Sequence, residues 1–377
     1  MRDHFLWSLF FIFKYIYVNY IMKIVQLIAN NLPNTSYRYA IELNNQLVKF
    51  NIDAEIISLD NIDFNDDIIN ILNSYEYCFI HSLPKIPSIY GILLNKIKIK
   101  KILFITDINI KQWHNSISLS NIGNLLRGTT NIVINELATD IINEISRLIG
   151  ENNFKEKFVN LKFIYDFSNI SFNSIDYKKN EISLISNKGI RSNYELFIKL
   201  FEKFKDKNLI WHIYGVTKNI QTMSVNNLYI NKETNQKSLL TNFSNEILTD
   251  KINVHEPIDD QTCNDIISNN LFIANFDITN ILSYTLIDII GHGSIPILNE
   301  EIAKKIKINK SQSLYDLKCG IFINSKTLDE NINIQINKLL LSKNSYIQML
   351  NKNINMFKQL FNAEQIVNNL LLDLEIK

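Results

Sequence analysis

The feature that most constrains this chain is a rhythm. Short apolar runs alternate with longer stretches whose apolar residues recur at helical spacing, and the cycle restarts after a polar gap. From Met22 onward "KIVQLIA" (23–29), "AEIISLD" (54–60), "YEYCFIHS" (75–82), "KKILFITD" (100–107), "NIVINE" (131–136) and "KFIYDF" (162–167) read as strands. Between them, 37–50, 66–73, 87–95 and 137–149 read as helices, the first with Ala40, Leu43 and Leu47 on its inward side. Near-continuous apolar strands separated by helices are the signature of βαβ units and a parallel sheet covered on both faces.

Residues 168–180, "SNISFNSIDYKKN", are polar and without period, which makes them a linker. The alternation then resumes with strands at 182–186, 209–215, 252–256, 271–276, 295–298 and 320–324. Helices are predicted at 192–206, 260–269 and around Asp288, and 327–341 and 343–375 close the chain as helices. With 377 residues the chain exceeds the roughly 250–300 at which a single core stops growing. Two domains follow, at 22–170 and 181–342. Each is Rossmann-like and doubly wound, and residues 1–21 form an N-terminal extension. Two such sheets facing one cleft would place the carboxyl ends of both beside the same ligand.

Apolar residues at 46% and charged residues at 20% describe a globular chain, and disorder is excluded. Lys+Arg 39 against Asp+Glu 38 leaves a net charge of +1, so no global field draws the protein to nucleic acid or to an anionic membrane. Cys78, Cys263 and Cys319 match no metal-site or C-x-x-C spacing, which points to a reducing, cytoplasmic setting without zinc. Residues 1–21 are apolar and aromatic, but Lys14 interrupts them short of the ~18–20 apolar residues of a span. No stable membrane insertion is expected.

The stretch 283–298, "SYTLIDIIGHGSIPIL", sets one acid in an apolar helix before a G-H-G turn and a short strand. Leu282, Leu286, Ile289 and Ile290 form a buried stripe, and Tyr284, Thr285, Asp288 and His292 share the other side. That polar side faces either water or a ligand. At the helix start, Ser283, Tyr284 and Thr285 offer N–H and hydroxyl groups to phosphate, or Ser283 simply caps the helix. Asp107, at the end of a strand, reads equally as a turn cap or as a general base.

"LIDIIGHGSIPIL" and the paired α/β layout resemble the GT-B glycosyltransferases. The segments "AEIISLDN" (54–61), "KILFITDIN" (101–109), "KGIRSN" (188–193), "DIIGHGSIPILNEE" (288–301) and "GIFINS" (320–325) are similar, in order and spacing, to those of the phage DNA β-glucosyltransferases. The resemblance implies a GT-B architecture with a C-terminal helix, 343–377, crossing back to the first domain. It implies a UDP-sugar donor, glucose by likeness, held by the second domain, with no metal required and an acceptor hydroxyl on a glycan or on modified DNA. By the same resemblance Asp288 receives the ribose hydroxyls, and Gly189 and Arg191 hold phosphate. Pro257 and Ile258 border the nucleobase, and Asp107 is the base of an inverting transfer. Where that family carries further phosphate-binding arginines this chain has Glu195 and Thr285, which shifts the diphosphate toward Arg191, backbone N–H groups and Lys218.

Two other functional classes compete with the enzyme. A non-catalytic nucleotide-sugar or glycan-binding protein on a degenerate GT-B scaffold accommodates the missing arginines. A Rossmann oxidoreductase is disfavoured, because "IANNLPNTS" (28–36) lacks the G-x-G-x-x-G that lets a dinucleotide approach the backbone.

Overall fold

A computed structural model describes residues 21–28, 35–59, 65–81, 94, 96–106, 119–136, 139–167, 178–185, 194–205, 207–215, 229–230, 237–238, 252–256, 258–276, 282–324 and 330–376. The chain divides into two compact units, 1–164 with 363–377, and 165–362.

The first unit holds β1 (Lys23–Ile28), α1 (Thr35–Lys49), β2 (Asp53–Ser58), α2 (Asp66–Leu72), β3 (Tyr77–His81), β4 (Lys100–Ile105), α3 (Leu119–Gly128), β5 (Asn131–Ile134), α4 (Thr139–Ile149), α5 (Glu151–Lys157) and β6 (Phe158–Asn160). All six strands are parallel, in the order β2-β1-β3-β4-β5-β6. Every residue of β3 is buried, as are all but the first of β1 and β4, which explains why these strands read as unbroken apolar runs. Val25, Leu27, Ile80, Leu103, Ile105 and Ile134 form one core with Leu125 and Leu126 of α3 and Ile145 of α4.

The second unit holds β7 (Lys179–Ile185), α6 (Tyr194–Phe204), β8 (Ile210–Tyr214), β9 (Tyr229–Ile230), β10 (Lys237–Ser238), β11 (Ile252–His255), α7 (Asp260–Asn269), β12 (Asn270–Asn275), α8 (Tyr284–Gly291), β13 (Ile295–Asn299), α9 (Glu300–Lys305), β14 (Ile321–Ile323), α10 (Glu330–Leu341) and α11 (Lys343–Leu360). Its six-stranded sheet is also all parallel, in the order β11-β8-β7-β12-β13-β14. On one face Trp211 packs edge-on against Phe197 and Phe201 of α6. On the other, Ile185 and Ile273 pack against Cys263 and Ile267 of α7 and Ile289 of α8.

Both sheets match the expected doubly wound α/β class, and three local differences have physical causes. The strand expected at 162–167 lies instead at Phe158–Asn160. Its partner β5 ends at Ile134, whose carbonyl accepts the last rung from Leu161 N at 2.9 Å, so β5 offers 162–167 no further rung, and Tyr165 forms instead an isolated bridge with Asn362. Helix α5 was not foreseen; Gly150, at φ 91°, supplies the left-handed turn that starts it directly after α4. The closing segment expected as one helix is two: α11 ends at Leu360, and α12 (Ala363–Asp373) follows. Helix α11 packs on α8 and α10 within the second unit, whereas α12 packs on α1 of the first.

Candidate functional site

In the second unit the chain lays down β7, then β8 and β11 to one side, and returns to place β12 on the other side of β7. This is the 3-2-1-4-5-6 order, and open sheets of this kind bind ligands in the crevice where the order reverses, outside the carboxyl ends of the strands. Three features converge there: the end of β7 at Ile185, the end of β12 at Asn275, and the start of α8. Ser283 caps α8, its Oγ accepting from Leu286 N at 3.3 Å. Asn299 closes β13 and caps α9, its Oδ1 accepting from Glu301 N at 2.9 Å and Ile302 N at 3.3 Å. A small recess opens between them, lined by Asn275, Ser283, Leu286, Leu298, Asn299 and Ile302.

Helix α8 carries the predicted acid, but its polar side does not look at water. Besides Leu286, Ile289 and Ile290, residues Tyr284 and Asp288 are each 5% exposed, and Thr285 is half-buried. The cause is packing, because α7, α11 and β13 all press on α8. A buried carboxyl needs partners, and Asp288 has one in Tyr165, whose hydroxyl donates to Oδ1 at 2.7 Å. Tyr165 also stacks on Tyr284, one helical turn before Asp288, with ring centroids 6.5 Å apart. His292, just past the helix, bonds Ser268 Oγ through Nδ1 at 3.1 Å.

Ile258 lies two residues before α7, half-buried against Ile185, Cys263 and Ile267. The neighbouring Asp259 caps α7, accepting from Thr262 N at 2.7 Å, and this bond holds its carboxyl below the usual range. Asp107, Gly189, Arg191, Lys218 and Pro257 lie outside the described residues. Their flanks are fixed. Thr106, directly before Asp107, is buried and shares a 2.6 Å hydrogen bond with Ser36 at the start of α1. The segment with Gly189 and Arg191 begins where β7 ends, at the reversal point.

Sequence reasoning missed two groups. Tyr165 could be inferred as a type, since a lone acid in an apolar helix demands a donor, but the donor stands 123 residues away. The second group lies on β7, β8 and β11 next to the Ile258 loop. There His212 Nδ1 and His255 Nε2 are 2.9 Å apart, Tyr214 stacks on His255 at 4.3 Å, and Glu181 Oε2 lies 3.7 Å from His212 Nε2. Burial lowers the pKa of both histidines, and Glu181 opposes that shift in each. Among the described residues no cluster of three or more His, Cys, Asp or Glu could hold a metal ion, and no helix is long and apolar enough to cross a membrane.

Two doubly wound α/β units in one chain are the fold of the GT-B glycosyltransferases. Among solved structures, α-glucosyltransferase in complex with UDP-glucose and DNA containing an abasic site matches with a TM-score of 0.73 at 14% identity, over 95% of this chain and 100% of that one. The α-glucosyltransferase complex with UDP matches at 0.71 and 13%, over 94% of this chain and 100% of that one. Sucrose-phosphate synthase from Thermosynechococcus elongatus matches at 0.56 and 8%, over 93% and 97%. At these identities the likeness is one of fold. No protein-family model and no curated protein matches the sequence.

Proposed function

We propose that the protein is a glycosyltransferase that moves a sugar, glucose by likeness, from a UDP-sugar to an acceptor hydroxyl. The observation that carries this reading is the edge of the second sheet, where a capped helix N-terminus and a buried acid one turn further on stand beside the reversal point. Solved structures with this fold hold UDP or UDP-glucose. On this reading the N–H groups of α8, with Ser283, Thr285, Gly189, Arg191 and Lys218, receive the diphosphate, because a helix N-terminus and a guanidinium both favour anions. Asp288 accepts from the ribose hydroxyls, Pro257 and Ile258 flank the base, and no metal is needed to neutralise the leaving group. The first unit presents the acceptor. Asp107 takes the proton of the attacking hydroxyl, which is the group an inverting displacement requires.

One observation favours a second outcome at the anomeric centre: the matched enzymes are α-glucosyltransferases, and another protein of this fold, trehalose-6-phosphate synthase, is described as transferring with retention. A same-face attack would bring the acceptor hydroxyl beside the departing phosphate, which could take the proton in place of Asp107. The acceptor class includes DNA, as in a complex of this fold, and glycans. The three cysteines are buried and free, in keeping with a cytoplasmic setting.

The test is UDP release on mixing the protein with UDP-glucose and DNA bearing hydroxymethyl bases, simple sugars or hydroxyl-bearing peptides, with the product anomer assigned by NMR. Release with one acceptor class establishes the enzyme. Tight UDP-glucose binding without release from any of them establishes instead a nucleotide-sugar-binding protein on the same scaffold.

A further inference from the structure

Tyr165 occupies a particular place in the chain. It is the first residue of the second unit, and its backbone bridges to Asn362, the last residue of that unit. The side chain is 3% exposed, tilted against Phe167 at 4.6 Å and stacked on Tyr284 at 6.5 Å, so its ring is gripped from within the unit. The hydroxyl at the end of that fixed ring donates to Asp288 Oδ1 at 2.7 Å. Tyr284 and Asp288 are four residues apart on α8 and therefore on one face, so Tyr165 touches two members of the candidate donor site at once.

A carboxylate has two oxygens and about four lone-pair sites, and its terminal torsion is broad unless something holds it. Receiving two vicinal hydroxyls asks for one orientation of the carboxylate plane. A donor on a buried ring, held 2.7 Å from one carboxyl oxygen, selects that orientation in advance. We propose that Tyr165 is the positioning residue of the donor site: its hydroxyl sets the rotation of the Asp288 carboxylate so that the group meets both ribose hydroxyls of a uridine diphosphate. The inference rests on the reading of Asp288 as the ribose acceptor. It concerns orientation, so its mark is discrimination between ribose and deoxyribose, which a merely structural contact would leave alone.

The experiment compares UDP with 2′,3′-dideoxy-UDP by calorimetry on wild type, Tyr165→Phe, Asp288→Asn and the double variant. Tyr165→Phe is expected to weaken UDP by about five- to tenfold while the dideoxy nucleotide changes less than about twofold, the size of one hydrogen bond to a charged group. Asp288→Asn is expected to remove most of the preference for UDP. The double variant should then discriminate no less than Asp288→Asn alone, and its neutral amide keeps it testable if the single Tyr165→Phe change, by stranding a buried acid, prevents folding. Equal weakening of both nucleotides in Tyr165→Phe, or an unchanged preference there while Asp288→Asn loses it, overturns the positioning role alone. An unchanged preference in Asp288→Asn overturns the ribose reading itself. A further loss of preference in the double variant shows Tyr165 acting on ribose without Asp288, and also overturns the proposal.

Discussion

The two sheets reverse direction at comparable points, and the chemistry beneath each reversal differs. In the first unit the reversal lies between β1 and β3, and the described side chains that meet there, Gln26 and His81, are polar without formal charge. Gln26 spends its amide N–H groups on Ala40 O at 3.2 Å and Asn44 Oδ1 at 3.0 Å, so its Oε1 can only accept from His81 Nε2–H at 2.9 Å. That fixes the neutral tautomer and leaves Nδ1 as a lone pair. Burial pushes the His81 pKa down to about 3, Phe104 stacks on the ring at 4.7 Å, and Nδ1 and the Tyr39 hydroxyl have no hydrogen-bond partner among the described residues. In the second unit the reversal carries an acid, Asp288, and a capped helix end. Two doubly wound sheets of different strand order thus carry, among the described residues, a neutral polar pair at one reversal and an acid beside a capped helix N-terminus at the other. On the proposed reading this difference suits an uncharged hydroxyl acceptor on the first and a nucleotide on the second, so the roles would be assigned by the sites and not by the fold.

The sharpest way to break that division is Asp107→Asn, which keeps the side-chain shape and removes the proton acceptor. If the first unit serves only the acceptor, turnover should fall about 100- to 10,000-fold, the span of general acid–base catalysis, while UDP affinity stays at the wild-type value. Turnover and calorimetry on the same preparation decide it. Full activity with a retained product anomer would move the proton to the leaving phosphate, and a collapse of UDP affinity would erase the proposed difference between the units.

Acid should reach the first unit through His81. Its folded pKa, about 3, lies below the ordinary 6.5, so the unfolded chain binds the proton more readily. The stabilising term is therefore complete above pH 6.5 and is lost as pH falls from 6.5 toward 3, by on the order of 4–5 kcal/mol. Hydrogen-exchange protection factors in β1, β3 and β4, the rates corrected for the intrinsic pH dependence of amide exchange, should fall across that window. His81→Gln has nothing to titrate there, so its protection factors should respond less to acid; an equal response would place the acid sensitivity elsewhere.

Most of this comparison was legible as pattern, and little of it as contact. Runs such as "KILFI" and "YCFIH" announce strands because both faces of a parallel sheet are buried, and the reversals follow from the order in which such strands are laid. The acid Asp288 stood out for the same reason that it needs a partner, being polar in an apolar helix. Yet helical spacing alone set Tyr284 and Asp288 on an open face, because period describes one helix and cannot count the elements packed around it. The pattern of 162–167 is strand-like and so hides Tyr165, because β5 stops at Ile134 and Tyr165 bridges instead to Asn362. Gln26 and His81 are unreadable as a pair: each is a lone polar residue in or at the end of an apolar run, and their bond depends on the register of β1 against β3.

Ser283 provides the smallest effect and the finest test of the second unit. Its Oγ accepts from Leu286 N, so at least part of its role is to cap α8, and Ser283→Ala should cost about 0.5–2 kcal/mol of stability. Glycine is a tolerable cap, so Ser283→Gly should cost only a few tenths of a kcal/mol, and the two variants separate the helix from the ligand. If the hydroxyl does nothing but cap, UDP affinity measured on folded protein should be lower in Ser283→Ala, where the helix start frays, and near wild type in Ser283→Gly. If the hydroxyl also meets the diphosphate, both variants lose UDP affinity alike while uridine affinity is unchanged, because uridine brings no phosphate to that end of α8. The first outcome leaves the N–H groups and Arg191 to hold the diphosphate; the second adds a side chain to the proposed anion site.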